Sequence, residues 1–207
     1  RIIKKRTNNL ESRILTIRES RGEKVLLFDE TRFMTDSLLK KLYSSHDDMV
    51  VIKERELGDN LIVRLTNMDK LSEPITAKNL SPLRNKTVIP RFYRGNILKA
   101  AVESITNNLP EDIIRKIVAL DLELLYYESY NISKNIGIIP TPEIFHYGDD
   151  DIRSLYRKYF RYGYTQRMMR GTYYANFAKP SGRLRSDSPL KYRVRSIPIV
   201  IARGIPF

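Results

Sequence analysis

The feature that most limits the fold of this chain is an uninterrupted apolar run that ends in acidic residues. Residues 24–28 read Lys-Val-Leu-Leu-Phe, and Asp29, Glu30 and Thr31 follow directly. An apolar run without polar alternation is typical of a strand buried on both faces of a mostly parallel sheet. Ligands of such sheets bind outside the carboxyl ends of the strands. The run therefore predicts an α/β fold with a ligand site close to Asp29.

The remaining pattern alternates between helical and extended segments, which favours a mostly parallel sheet flanked by helices. Apolar residues at helical spacing predict helices over residues 10–20, 95–106, 121–134 and 149–169. Short apolar segments predict strands over residues 1–6, 49–53, 61–65, 88–93, 138–140 and 143–147. Residues 66–88 are polar and contain Pro74 and Pro82, so a long surface loop is expected there.

The composition excludes several classes of site. The chain has no cysteine and only two histidines, which excludes disulfides, cysteine–zinc sites, iron–sulfur clusters and three-histidine metal sites. No segment approaches the roughly 20 consecutive apolar residues of a membrane-spanning helix. The chain begins Arg-Ile-Ile-Lys-Lys-Arg without an initiator methionine. We therefore expect it to be part of a longer protein.

The positive charge is concentrated near the end of the chain. The net charge is +13, and residues 153–207 hold thirteen Lys and Arg against one acid, Asp187. This charge, interspersed with Tyr and Phe, indicates an anionic partner: a phosphorylated small molecule, nucleic acid or an anionic membrane surface. A solvated basic surface without a partner is the alternative.

Three residues could carry chemistry on the pattern alone. Asp29 could hold a divalent cation at a strand end, Asp121 could act as a general base at a helix start, and His146 precedes an acidic loop. Each also has an ordinary structural explanation, as a turn acid, a helix-start acid favoured by the helix dipole or a hydrogen-bonding histidine.

Taken in order, five segments resemble motifs of family 2 glycosyltransferases with the GT-A fold. The similarity covers roughly residues 1–165. The segments are Glu-Ser-Arg at residues 11–13 leading to Gly-Glu and the strand ending in Asp29, Thr-Asp-Ser-Leu-Leu at 35–39, Phe-Tyr-Arg at 92–94, Leu-Asp-Leu-Glu-Leu at 120–124, and His146 followed by Arg-Lys-Tyr-Phe-Arg-Tyr-Gly at 157–163.

The resemblance implies a Rossmann-like GT-A domain over residues 1–170, lacking the first two β-α units, followed by a basic tail over residues 171–207. It implies transfer of a sugar from a nucleoside-diphosphate sugar to an acceptor hydroxyl or polyprenyl phosphate, with inversion. Thr31 stands where the family has its second metal-binding Asp, and Leu120 stands where it has the first acid of a Glu-Asp pair.

Roles for individual residues follow from the same resemblance. Asp29 and His146 would bind Mg²⁺ or Mn²⁺. Arg13, Arg157 and Arg161 would bind the nucleotide and its phosphates. Asp121 would deprotonate the acceptor.

Two other functions remain open at this point: a catalytically inactive relative with a scaffolding role, and a basic nucleic-acid-binding module. The expected location is cytoplasmic and peripheral at the inner face of the membrane, with the segment after Gly171 on an anionic lipid surface.

Overall fold

The fold is a five-stranded mixed sheet with helices packed around it, as seen in a computed structural model of the chain. The structure describes residues 8–72, 75–76, 80–82, 88–149 and 151–176. The predicted strand over residues 1–6 and almost all of the basic tail lie outside these ranges. Among the described residues, no helix is both long and apolar enough to cross a membrane.

Seven helices and five strands make up the described part of the chain. The helices are α1 (Asn9–Glu19), α2 (Leu38–Ser44), α3 (Leu61–Ser72), α4 (Gly95–Asn108), α5 (Glu111–Ile114), α6 (Asp121–Ile132) and α7 (Ile152–Met169). The strands are β1 (Lys24–Leu26), β2 (Arg32–Met34), β3 (Met49–Leu57), β4 (Pro90–Arg94) and β5 (Ile136–Tyr147).

The prediction of a mostly parallel sheet is wrong. The strand order is β1-β4-β3-β5-β2, and only the β3–β5 pair is parallel. One reason is the connection from β1 to β2: residues 27–31 contain no crossover helix, so the chain reverses direction between these two strands, which occupy the two ends of the strand order. The pairings make β1, β3 and β5 run in one direction and β2 and β4 in the other.

The predicted strand over residues 61–65 is also wrong, because this segment starts helix α3. The side chain of Asn60 accepts a hydrogen bond from the Val63 amide at 2.9 Å, which is how an N-cap residue starts a helix. Asn67 then exchanges two hydrogen bonds with the backbone of Glu56, at 2.9 Å and 2.8 Å, and so ties α3 to β3. The apolar run therefore forms the first turns of a helix, with Val63 buried and Leu61 exposed, rather than an alternating strand.

The predicted helices that became α1, α4, α6 and α7 are confirmed within a few residues at each end. The main core lies where α1, α4 and α6 pack together against the sheet, around Leu10, Leu98, Val102 and Leu124. A smaller core joins α2 to β3, β4 and β5. Together these contacts fix α1 and α6 beside the sheet, which positions the residues of the candidate site.

Gly95 occupies a position with no room for a side chain. A Cβ at Gly95 would lie 2.5 Å from the carbonyl oxygen of Gly22 and 3.4 Å from that of Glu23. The Gly95 amide also donates to the Glu23 carbonyl at 2.7 Å, so the two backbone segments are held in contact. Backbone atoms cannot rotate away as a side chain can.

We predict that Gly95→Ala lowers the free energy of unfolding by about 1–3 kcal/mol, the usual cost of overpacking. Urea denaturation measures it as a lower midpoint at unchanged slope. Gly171→Ala is the matched control, since a Cβ there meets nothing within 4 Å. Equal midpoints for the two variants would contradict the close packing of α4 against the turn before β1.

Candidate functional site

Three arginines and three carboxylates form a contiguous group at one edge of the sheet, here named the arginine–carboxylate cluster. Its members are Arg13, Arg32, Arg91, Asp29, Glu54 and Asp121. All six side chains are mostly buried, with exposed fractions from 6% for Arg91 to 30% for Asp29. Charges this far from water need partners, and here each lies beside an opposite charge.

The strand directions explain why these residues meet. The edge of the sheet where β1, β3 and β5 end is also the edge where β2 and β4 begin. Asp29 follows β1, Arg32 is the first residue of β2, and Arg91 is the second residue of β4. Helices α1 and α6 add Arg13 and Asp121 from beside the sheet. A ligand site at the carboxyl ends of strands was predicted; Asp29 follows the end of β1, whereas Glu54 lies within β3.

Arg13 joins the two acids that the sequence singled out. Its Nη2 donates to Oδ1 of Asp29 at 2.6 Å, and its Nε donates to Oδ2 of Asp121. Burial acts to lower the pKa of Arg13, but the charges and hydrogen bonds of Asp121 and Asp29 outweigh burial and raise it. The guanidinium is therefore permanently charged and holds α1, the loop after β1 and α6 together.

Asp29 receives three guanidinium groups. Besides Arg13, Nη1 of Arg32 donates to its Oδ2, and Nη1 of Arg91 lies 3.6 Å from the same oxygen. Burial acts to raise the pKa of Asp29, but Arg13, Arg32 and Arg91 together lower it. The Arg32 amide also donates to the Asp29 carbonyl at 3.0 Å, which closes a tight turn and leaves Glu30 and Thr31 exposed.

Glu54 extends the cluster towards His146. Nε of Arg91 donates to Oε1 of Glu54 at 2.5 Å, while Nε of Arg32 lies 3.5 Å from Oε2. His146 stands opposite Arg32 in the β2–β5 pairing, and its Nε2 lies 3.7 Å from Oε2 of Glu54. His146 therefore reaches the cluster through Glu54, not through Asp29.

Asp121 begins helix α6 in an unusual backbone setting. The preceding residue, Leu120, has φ 65° and ψ 15°, and it is the sole non-glycine residue with positive φ in the described part of the chain. A left-handed leucine costs about 1–2 kcal/mol, so the surrounding packing must hold it in place. Leu120 is 2% exposed within the main core, which supplies that packing. The strain lies directly beside the acid predicted to act as a base.

Helix α7 contributes a tyrosine next to the acids of α6. The pKa of Tyr162 is raised, first by the charge of Glu123 and then by burial, with a smaller contribution from Asp121. Glu123 itself is 7% exposed. The phenol therefore stays protonated beside two carboxylates and can donate a hydrogen bond.

The residues present do not fit the divalent cation that the family resemblance implies. Asp29 is engaged by arginines, whose charge repels a cation. Within the described ranges, no group of three or more His, Asp or Glu side chains is arranged to hold a metal ion. The joint role of Asp29 and His146 as metal ligands stays a prediction.

The predicted phosphate ligands on α7 lie apart from the cluster. Arg157 and Arg161 are exposed, and Lys158 pairs with Asp149 at 3.1 Å. Arg94 of the Phe-Tyr-Arg segment pairs with Asp48 at 3.2 Å, away from Asp29. A role for Arg157 and Arg161 stays a prediction.

The sequence analysis missed Arg32, Arg91 and Glu54. A signal existed only for Arg91, a charge beside the apolar pair Phe92-Tyr93, since a charge among buried residues requires a partner. Its partner Glu54 stands in a run of four charged residues, 53–56, and nothing in that run singles it out.

Comparison with known proteins gave one distant structural match. No protein-family model and no curated protein matches the sequence. The chain is similar in structure to S. aureus TarS (residues 1–349), solved in complex with UDP-GlcNAc, at 16% identity and a TM-score of 0.45. The match covers 97% of this chain and 54% of the TarS chain, so the chain spans about half the length of TarS that was solved. At this identity and TM-score the match assigns no residue a role.

We predict that Arg13→Gln lowers the free energy of unfolding by about 2 kcal/mol at neutral pH, because two mostly buried carboxylates lose their shared partner. This is below the roughly 3–5 kcal/mol typical of a fully buried pair. Arg18→Gln is the control, since its pair with Glu103 is exposed and should contribute about 0–1 kcal/mol.

The effect should depend on pH with a defined sign. The folded pKa of Asp29 lies below its unfolded pKa, so its contribution to stability is present at neutral pH and is lost as the pH falls below about 4. The stability gap between wild type and Arg13→Gln should therefore narrow in acid. Urea titrations at several pH values measure this gap, and a constant gap down to pH 3 would contradict the ion pair.

Proposed function

We propose that this chain is a glycosyltransferase domain that uses a nucleoside-diphosphate sugar, with Asp121 as the general base. The observation that carries the proposal is the Arg13 bridge between Asp29 and Asp121. The family resemblance assigned Arg13 to the nucleotide, Asp29 to the metal at the phosphates and Asp121 to the acceptor. Asp29 and Asp121 are more than ninety residues apart in the sequence, and in the fold both contact the guanidinium of Arg13.

The proposed reaction is a single displacement at the anomeric carbon. The acceptor oxygen forms a bond to that carbon as the bond from the carbon to the diphosphate oxygen breaks. The acceptor proton passes to the carboxylate of Asp121, and the nucleoside diphosphate leaves with the bonding electrons. Attack opposite to the leaving group inverts the configuration, and holding both reactants in line supplies much of the rate.

The position of Asp121 suits this role in two ways. It lies in the first turn of α6, close to the positive end of the helix dipole. Its side chain is 10% exposed, so an acceptor hydroxyl that reaches it is largely removed from water. Because Arg13 donates to Asp121, an acceptor must compete with this contact or arrive after it has opened.

The negative charge that develops on the leaving diphosphate requires fixed positive charge nearby. Arg13 is within reach of both acids and lies closest to the proposed base among the arginines of the cluster. His146, Arg157 and Arg161 are kept as further phosphate contacts in the proposal, to be tested by substitution. The acceptor class stays open between a hydroxyl and a polyprenyl phosphate.

We predict that Asp121→Asn lowers kcat by about 10²–10⁴-fold with little change in donor affinity, because the amide is nearly isosteric but accepts no proton. The assay is release of nucleoside diphosphate from a panel of UDP-, GDP- and dTDP-sugars, with candidate acceptors and with water alone. UDP-GlcNAc is the first donor to test, as the sugar nucleotide held by TarS.

Asp112→Asn is the matched control, since Asp112 also lies in the first turn of a helix, but it is exposed and pairs with Lys116. Its turnover should equal that of the wild type. Equal turnover in both variants would remove Asp121 as the base. A correctly folded wild type that releases no diphosphate from any donor would instead indicate the inactive relative.

A further inference from the structure

The buried arginines of the cluster have hydrogen-bonding capacity that the described structure does not use. Each guanidinium has five N–H donors in a planar fork. Nη1 of Arg91 and Nε of Arg32 are buried and make no hydrogen bond to any described residue. Arg91 is 5% exposed, and its Nη1 is 3.6 Å from Asp29, beyond hydrogen-bond distance. Buried charged donors left in this state are costly, so both nitrogens are available to a better-placed acceptor.

The three guanidinium groups converge on a single point, the carboxylate of Asp29. Arg13 approaches one oxygen at 2.6 Å, and Arg32 and Arg91 approach the other. They come from α1, β2 and β4, so three separate elements of the fold aim positive charge at one place. Arginine forks match the oxygens of phosphate as well as those of carboxylate.

Asp29 is also the cluster residue most open to solvent. Its side chain is 30% exposed, against 6–18% for the other five. It lies on the loop of residues 27–31 rather than within a strand or helix. An anion that arrives from solvent therefore meets Asp29 first and can take its place among the arginines.

We propose that Arg13, Arg32 and Arg91 form a diphosphate-binding site that works without a divalent cation, and that Asp29 occupies this site in the ligand-free protein. The inference rests on the proposed function for the identity of the diphosphate, which is that of the sugar nucleotide. It reverses the role that the family resemblance gives Asp29: this residue competes with the phosphates instead of binding them through a metal. The arginines supply the fixed charge that a metal would otherwise provide.

The test is calorimetric titration of the purified chain with inorganic pyrophosphate and with UDP, in metal-stripped buffer containing EDTA and again with Mg²⁺. We expect binding in EDTA, with affinity within about twofold of that in Mg²⁺. Arg32→Gln should weaken binding about tenfold by removing a charge-assisted contact. Arg167→Gln is the control for non-specific binding to the basic region, since Arg167 is exposed in the last turn of α7, and it should bind as wild type does.

Asp29→Asn separates the two possible roles of this residue by the sign of its effect. If Asp29 competes with the diphosphate, the variant binds pyrophosphate about three- to tenfold more tightly, because a competing charge is gone. If Asp29 is a metal ligand, the variant loses binding that depends on Mg²⁺. Thermal unfolding of each variant confirms that it is folded, and Arg91→Gln provides a second test of weakened binding.

Binding that requires Mg²⁺, or weaker binding by Asp29→Asn, would overturn this inference and leave the transferase proposal intact. Failure to bind pyrophosphate under either condition would overturn it as well. Conversely, tight pyrophosphate binding in EDTA by a chain that transfers no sugar would support the site and contradict the transferase. The titration contains no acceptor and needs no turnover, so the two proposals fail independently.

Discussion

The rest of the candidate site depends on the guanidinium of Arg13. It donates to Asp29 on one side and to Asp121 on the other, and so connects α1, the loop after β1 and the start of α6. Both carboxylates are mostly buried, and neither could remain charged there at low cost without a cation. The arrangement of these elements and the ionisation of the acids therefore have one common cause.

The sequence predicted the helices better than it predicted the sheet. Periodicity identified the helices α1, α4, α6 and α7, because each has a continuous apolar face. Periodicity could not give strand direction, because the apolar pattern of a three-residue strand such as β1 is compatible with either direction in the sheet. β1, β3 and β5 do run in the same direction, and a ligand site at the carboxyl end of β1 stays a prediction.

Single residues were harder to assign than elements. Asp29, Asp121 and Arg13 could be proposed because they fall within segments that resemble motifs. Arg32 pairs with Asp29 three residues earlier, but the contacts of Arg32 and Arg91 with Glu54 form only through the fold, so nothing local in the sequence connects Glu54 to its partners. For Arg157 and Arg161 the basic pattern of the helix was read correctly, but helical phase places both on the exposed side of α7. The resemblance identified the segments, but the direction in which each side chain points is known only from the packing.

The charge composition pointed to the C-terminal segment, whereas the buried charges of the structure lie in the arginine–carboxylate cluster. The excess of positive charge lies from Arg153 onwards, and half of it falls beyond the described residues. The arginine–carboxylate cluster, by contrast, pairs three arginines with three acids and adds nothing to the net charge. A balanced cluster is invisible to net charge, and yet a small shift of one carboxylate exposes strong positive potential at a buried point.

This balance places a condition on both proposals together. The same guanidinium holds the residue proposed to occupy the phosphate site and the residue proposed to act as base. A diphosphate that displaces Asp29 brings more negative charge to Arg13 than the carboxylate it replaces, and so draws the guanidinium away from Asp121. Under the two proposals, release of Asp121 would then follow from donor binding rather than from acceptor binding. In such an arrangement the base becomes available only when the leaving group is in place, which protects the site from unproductive binding of an acceptor alone.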